Sequence, residues 1–293
     1  MKKHAYMIMC HNNFELLKKL LILLDDERND IYIHVDKKAK DFDYKSIHFC
    51  VKKATLTQIK RINVNWGGYS QIKVELLLLE EAVKKEHSYY HLLSGADLPL
   101  KTQNEIHDFF EKNAGNEFVA IDRVSEFPGV FYDRIGQYHL LQDYIGRTQG
   151  YGSALLEYFE RVALKIQSFL HIKRKNLKYK KIYKGSNWFS ITHKLAIHLL
   201  SREAEIKENF GLGLCADELF LQTIIMNSSF KENLVNDCLR YTDWERGTPY
   251  IFMMEDFESL LSCNKLFARK FDYTFAPEIV NCIFDFLQAK KTF

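Results

Sequence analysis

The chain has 293 residues, 47% hydrophobic and 27% charged, with a formal net charge of +3, which suits a globular protein with a sizeable core and argues against a disordered chain. A charge this small gives no reason to expect a nucleic-acid partner, and six scattered cysteines without a CxxC pair suggest neither a zinc site nor a disulfide framework. The apolar run before His11, Asn12 and Asn13 is too short for a signal-peptide core or a membrane span, so the chain reads as cytoplasmic.

In chain order, Ala5 to Cys10 (AYMIMC) predicts a strand, and Phe14, Leu17, Leu20, Leu21 and Leu24 recur at helical spacing. Ile31 to Val35 (IYIHV) predicts a second strand ending at Asp36, and Ile62 to Val64 a third, before Trp66-Gly67-Gly68. A helix is expected from Ser70 to about Lys85, then a strand over Tyr89 to Leu93 that runs out into Ser94-Gly95-Ala96-Asp97. Thr102 and Glu105 form a capping box for a helix through Phe110, and Glu117 to Ile121 predicts another strand. Such alternation implies a mainly parallel sheet covered on both faces. Ligands of such sheets bind beyond the carboxyl ends of the strands, so His11, Asp36, Trp66 and Asp97 are expected to cluster. Asp36 there can accept from a ribose or a base, or cap its own loop.

Several chemistries have no support. No GxGxxG follows the first strand, no GxxxxGK[ST], HExxH or GxSxG occurs, and the eleven histidines lack ligand spacing. One DxD pair, Asp41-Phe42-Asp43, is of the type that holds a metal against a diphosphate, but it follows KKAK rather than an apolar strand and reads as surface. In GLGLCADELFLQTI two acids, Asp217 and Glu218, precede the apolar Leu219, Phe220, Leu221 and Ile224, which predicts a buried helix with acids in its first turn. Such acids cap a helix or do chemistry. Finally, an apolar periodic stretch from Leu155 to Leu170 leads into HIKRKNLKYKKIYK, with seven Lys/Arg in fourteen residues. Segment 155–184 therefore reads either as a peripheral contact with an anionic membrane surface or as a solvated basic loop after an ordinary helix.

The motifs AYMIMCHNN, IYIHVDKK, NWGGYS, YYHLLSGADLPLKT, KGSNWFSIT, CADELFLQTI, LRYTDW and LFARKFD occur in this order over nearly the whole chain. As an ordered set they resemble the family of Core-2/I-branching β-1,6-N-acetylglucosaminyltransferases and peptide O-xylosyltransferases. The resemblance implies a GT-A type α/β fold with a Rossmann-like nucleotide-binding half. It would be a single domain over 1–293, with a nucleotide-sugar half at 1–122 and an acceptor and catalytic half at 123–293. It also implies an inverting, metal-independent transferase that needs no cofactor and uses a UDP-sugar as donor.

By carry-over Glu218 is the general base, and Arg269 and Lys270 stand in for a metal at the diphosphate. His11, Asp36 and Trp66 belong to the nucleotide pocket, Asp97 to the donor end of the sheet, and Asn187, Trp188 and Trp244 to the sugar or acceptor contacts. Arg134 and Arg246 are further candidates. The xylosyltransferases carry an aspartate where this chain has Asn187, so a charged contact becomes a neutral amide and the donor sugar need not be xylose; a GlcNAc-like donor is favoured. The membrane anchor and cysteine-rich stem of the animal members find no counterpart here. The expectation is therefore a bacterial enzyme of surface polysaccharide assembly, acting on a glycan or lipid-linked oligosaccharide, cytoplasmic or peripheral on the inner face of the membrane. A xylosyl or other UDP-sugar transferase, or a nucleotide- or glycan-binding protein that lost activity, are the alternatives.

Overall fold

The computed structural model describes residues 2–127, 129–145, 151–174 and 177–291, so Lys175 and Asn176 of the basic segment lie outside the described residues. The elements run β1 (His4–Cys10), α1 (Phe14–Leu24), β2 (Asn29–Val35), α2 (Tyr44–His48), β3 (Thr55–Gln58), α3 (Tyr69–Ala82), β4 (Tyr89–Ser94), β5 (Leu98–Pro99), α4 (Gln103–Lys112), β6 (Glu117–Val119) and β7 (Arg123–Glu126). There follow α5 (Gln142–Ile145), α6 (Tyr151–Phe169), β8 (Lys181–Lys184), β9 (Phe189–Thr192), α7 (His193–Leu200), α8 (Glu203–Phe210), α9 (Phe220–Met226), β10 (Leu234–Val235), β11 (Arg240–Thr242), α10 (Phe257–Ser262), β12 (Phe267–Arg269) and α11 (Pro277–Lys291).

Among the described residues the main sheet has the order β10-β6-β9-β4-β1-β2-β3. β1 to β4 run parallel where they pair, while β9 is antiparallel to both β4 and β6. Successive side chains of β1 enter opposite cores, as the strand period of two requires. Tyr6, Ile8 and Cys10 join Leu17 and Leu20 of α1 and Ile279 and Ile283 of α11. Ala5 and Met7 join Ile72 and Leu79 of α3 and Phe220 and Ile224 of α9. The outcome is the expected helix-covered, mostly parallel sheet. Its strands come from both sides of residue 122, since β9 and β10 lie beyond it.

Two expectations fail for local reasons. The edge strand is Thr55–Gln58, which pairs with Asp30 to Ile33 of β2, and not Ile62 to Val64. Ile62 runs beside the sheet instead, its amide bound to His34 Nε2 at 3.1 Å and its carbonyl accepting from the Lys37 amide at 3.0 Å. Asp217 and Glu218 are likewise not in the first turn of an α-helix. Cys215 takes a left-handed conformation (φ 47°), a separate 3₁₀ turn spans Ala216–Glu218, and α9 starts only at Phe220.

A second, small sheet, β11-β12-β5, folds the C-terminal part of the chain back onto the end of β4. β12 pairs antiparallel with β5 and parallel with β11, which sets Arg269 opposite Thr242 and close to the SGAD loop. The loop before β9 is held at equally close range. A Cβ on Gly185 would lie 1.7 Å from the Ala120 carbonyl oxygen, a contact that backbone cannot relieve cheaply. Gly185→Ala should therefore lose about 2 to 4 kcal/mol in urea unfolding, the cost of overpacking a rigid neighbour. Gly152→Ala, where a Cβ meets nothing within 4 Å, is the control and should be neutral or slightly stabilising.

Candidate active site

The antiparallel course of β9 decides where the site lies. Because His91 pairs with Ser190, the residues before β9 fall level with the carboxyl end of β4. The Gly185-Ser186-Asn187-Trp188 loop thus joins the residues that leave the ends of β1, β2 and β4, namely His11, Asp36 and the SGAD loop. Gly185 donates its amide to the Glu218 carbonyl at 3.0 Å, and Gln222 of α9 donates to the Ser186 carbonyl at 2.5 Å. Those two bonds tie the acid-bearing turn to the loop.

The two acids of that turn face different environments. Glu218 is one-third exposed, and its Oε2 accepts from Arg134 at 2.7 Å, with Lys184 Nζ at 3.6 Å. Its Oε1 has no hydrogen-bond partner among the described residues. Asp217 points inward, accepting from Gln71 Nε2 at 3.0 Å and more weakly from Asn187 Nδ2 at 3.5 Å. Burial pushes its carboxyl up to about 7, the Glu218 charge adds to the rise, and neighbouring amides and Arg134 oppose it. Glu75 of α3 lies deeper still, with both carboxyl oxygens unpartnered among the described residues. Burial first, and the Asp217 charge second, hold it well above the ordinary carboxylate range. A carboxyl so placed is protonated at neutral pH.

Glycines let this turn approach α3. The Cys215 amide donates to the Gly67 carbonyl at 2.8 Å, and Gly67 sits at φ 75°, within 3.2 Å (from a notional Cβ) of Cys215 Sγ. At Gly68 a Cβ would strike Asp143, whose Oδ1 caps α3 by accepting from the Ser70 amide at 2.9 Å. The WGG motif is therefore a docking point for the acid-bearing turn and for α5.

Positive charge collects on the other side of the 185–188 loop. The Arg269 guanidinium lies 4.3 Å from the Trp188 ring centroid, a cation–π stack, and its Nε is 3.4 Å from Asp97 Oδ1. That last contact is within ion-pair range but misaligned for a hydrogen bond. Asp97 is fully buried and accepts from the Ser94 amide at 3.0 Å and from the Ser94 hydroxyl. Burial raises its pKa and Arg269 counters the rise. Lys270 is half-buried and makes no ion pair with a described residue. Desolvation lowers the His11 pKa; Asp36 opposes this, and the charges of Lys270, Lys38 and Arg269 reinforce it, so all five groups share one field. Asp36 itself is buried and accepts from the Lys38 amide at 2.9 Å, the loop-capping geometry, with Lys38 Nζ at 3.6 Å.

The family model of the Core-2/I-branching enzymes matches residues 4–139 and 142–259 of this chain. The chain belongs to that family. Among its relatives, rat xylosyltransferase 2 is 25% identical over 318 residues, covering 96% of this chain and 33% of its own length. A human N-acetyllactosaminide β-1,6-N-acetylglucosaminyl-transferase is 24% identical over 310 residues, covering 95% of this chain and 70% of its own. The chain thus spans about a third of the length of the xylosyltransferase 2 proteins it resembles. A solved structure, the apo form of mouse xyloside xylosyltransferase 1, aligns with 92% of this chain and 97% of its own at 11% identity, with a TM-score of 0.42.

The remaining residues singled out in the family motifs divide in two. Trp188 is almost wholly covered by its contacts, whereas Trp66 is 46% and Trp244 64% exposed. Trp244 leaves β11 at the level where Arg269 ends β12. Arg246 is engaged in holding that loop, bound to Asp243 at 2.6 Å and Asp256 at 2.8 Å and stacked 4.0 Å from the Tyr250 centroid. Sequence reasoning passed over Lys184, Gln71, Glu75 and Arg240. Arg240 is buried beneath β9, donating to the Leu92 and Phe189 carbonyls at 3.0 and 2.7 Å and to Ser190 Oγ at 2.8 Å. Burial pushes it down to about 10, with Cys238 and Asp97 opposing. Its place inside LRYTDW was the available signal; Glu75, in an ordinary helix, offered none.

The raised Asp217 pKa carries a pH consequence. Because the folded state favours the neutral acid, the resulting stabilisation is complete below the ordinary value of 3.8 and is lost as pH rises through about 7. Asp217→Asn, which cannot titrate, should flatten the fall in melting temperature between about pH 5 and about pH 8. At the upper end it should gain stability on the order of 4 kcal/mol at most, since each pKa unit is worth about 1.4 kcal/mol.

Proposed function

We propose that this chain is an inverting, metal-independent glycosyltransferase that moves a sugar, GlcNAc before xylose, from a UDP-sugar to a hydroxyl of a glycan or lipid-linked acceptor. The observation that carries the reading is the disposition of Glu218, with one oxygen pinned by Arg134 and the other uncommitted, across the 185–188 loop from Arg269 and Lys270. In the reaction the acceptor hydroxyl gives its proton to Glu218 as its oxygen attacks the anomeric carbon. The bond to the diphosphate breaks with inversion, and UDP leaves with the bonding electrons. A positioned base contributes about 10²- to 10⁴-fold, roughly 3 to 5 kcal/mol of barrier. Cations at the diphosphate stabilise the leaving charge, the task a divalent metal performs elsewhere.

The exposed Trp66 and Trp244 offer aromatic faces for a base or a pyranose, while Trp188 backs the Arg269 guanidinium. The Asn187 amide is turned partly toward Asp217, which favours a neutral contact to the donor sugar and so GlcNAc. Xylose is the second reading, favoured by the names of the xylosyltransferase relatives. Asp43 of the DxD pair caps α2 by accepting from the Lys45 amide at 3.0 Å, which supports a surface role for that motif. The proposed setting is bacterial surface polysaccharide assembly at the inner face of the membrane.

Glu218→Gln should lower transfer by about 10²-fold or more while UDP affinity stays within a few-fold of the parent protein. Retained turnover would remove Glu218 from the base role. A panel of UDP-sugars, read by hydrolysis and by thermal stabilisation, identifies the donor; stabilisation by UDP without hydrolysis of any donor points to a binding protein that lost activity. Transfer should also persist in EDTA. A strict Mn²⁺ requirement would overturn the role given to Arg269 and Lys270.

A further inference from the structure

Helix α6 is inside out. Its protein-facing side carries two polar residues, Glu160 and Gln167, both buried. Gln167 grips the backbone of Tyr138 at both ends, donating to its carbonyl at 2.9 Å and accepting from its amide at 2.8 Å. Glu160 accepts from the Leu141 amide at 3.0 Å and lies 3.3 Å from His139 Nδ1. The outward side carries an apolar stripe beside the exposed Glu157, Arg161 and Lys165: Leu155, Tyr158, Phe159, Ile166, Phe169 and, just past the helix end, Leu170 are each at least half exposed, Phe169 at 83%. Their spacing of three, four and seven makes one continuous stripe along the helix. A stripe of that size left in water marks a contact surface.

The charge beside the stripe says what it contacts. Of the nine Lys/Arg in residues 151–184, Arg161 and Lys165 lie on α6 itself, whereas Arg174 is buried and Lys178, Lys181 and Lys184 pair with acids of other elements. Lys165, Lys173 and Lys180 make no ion pair with a described residue. A second copy of this chain would set that positive charge against itself, whereas anionic headgroups neutralise it. No helix among the described residues is long and apolar enough to cross a membrane, so the stripe fits the plane of the interface.

We infer that α6 docks flat on an anionic lipid bilayer, its apolar stripe in the headgroup boundary and the lysines around it on acidic headgroups. The docked helix is one step from the site. The segment it grips continues from the turn that carries Arg134, and the Leu214 amide donates to the Arg134 carbonyl at 2.8 Å, just before the acids. Docking therefore brings the chain to the surface on which lipid-linked acceptors are displayed; this last consequence rests on the proposed function, the docking itself does not.

The test is co-sedimentation of the full chain with vesicles of phosphatidylglycerol in phosphatidylcholine, or of phosphatidylcholine alone. The protein should pellet with the anionic vesicles, less so as salt rises. The double variant Phe159→Ser/Phe169→Ser should weaken vesicle binding by about tenfold or more. Lys165→Gln/Lys173→Gln should weaken binding to the anionic vesicles by about thirtyfold, at roughly 1 kcal/mol per lysine. Both should leave the melting temperature and UDP-sugar hydrolysis unchanged. Absence of pelleting, or pelleting indifferent to both variants, overturns the inference. So does a dimer in light scattering that Phe159→Ser/Phe169→Ser converts to a monomer, because the stripe then covers a second copy. Vesicle binding without hydrolysis of any UDP-sugar supports the docking and counts only against the transferase reading.

Discussion

The site depends on one close approach, that of Gly185 to the backbone of Ala120 on one side and to Glu218 on the other. β9 enters a mostly parallel sheet the wrong way round, so the loop that precedes it lies at the end of the sheet where parallel strands leave their carboxyl termini. No side chain fits between that loop and the end of β6. With the loop fixed, its neighbours take their places. The Gly185 amide holds the acid-bearing turn, Asn187 reaches toward Asp217, and Trp188 supplies the face on which Arg269 stacks.

Charge is distributed around this loop with a clear asymmetry. On the acid-bearing side Glu75 lies deepest, then Asp217, and burial raises the pKa of both, while Glu218 is one-third exposed. On the other side Arg240 is spent on carbonyls, Arg269 is partly offset by Asp97, and Lys270 is left uncommitted among the described residues. An acid thus stands at one edge of the loop and a cation at the other.

The segment from Arg134 to α6 connects this site to the periphery. Its hydrogen bonds run from Glu160 and Gln167 to the backbone of 138–141, and from Arg134 to Glu218. Glu160 and Gln167 make the buried polar contacts of α6 beside the partly buried Leu156, Ala163 and Leu164, while the exposed stripe faces away.

The strands β1, β2, β4 and β6, the capping box at Thr102 and the run of strand-end polar residues were legible in the sequence, because each rests on local periodicity or on a cap within three residues. The ordered motifs likewise pointed to the family. What the sequence could not carry is whatever depends on pairing across long separations. Ile62 to Val64 has strand composition, yet the edge of β2 was taken by Thr55 to Gln58, and composition does not say which segment reaches the edge. The two acids looked alike as neighbours in the chain; only the left-handed Cys215 and the docking against Gly67 turn one inward to Gln71 and leave the other to Arg134. The segment 155–184 read either as a membrane-surface contact or as a basic loop after an ordinary helix, and only the fold shows Glu160 and Gln167 bonded inward to backbone with an apolar stripe left outside. Periodicity and motif order are properties of the chain, whereas burial, and with it the protonation of Asp217 and the exposure of Phe169, belongs to the assembled structure.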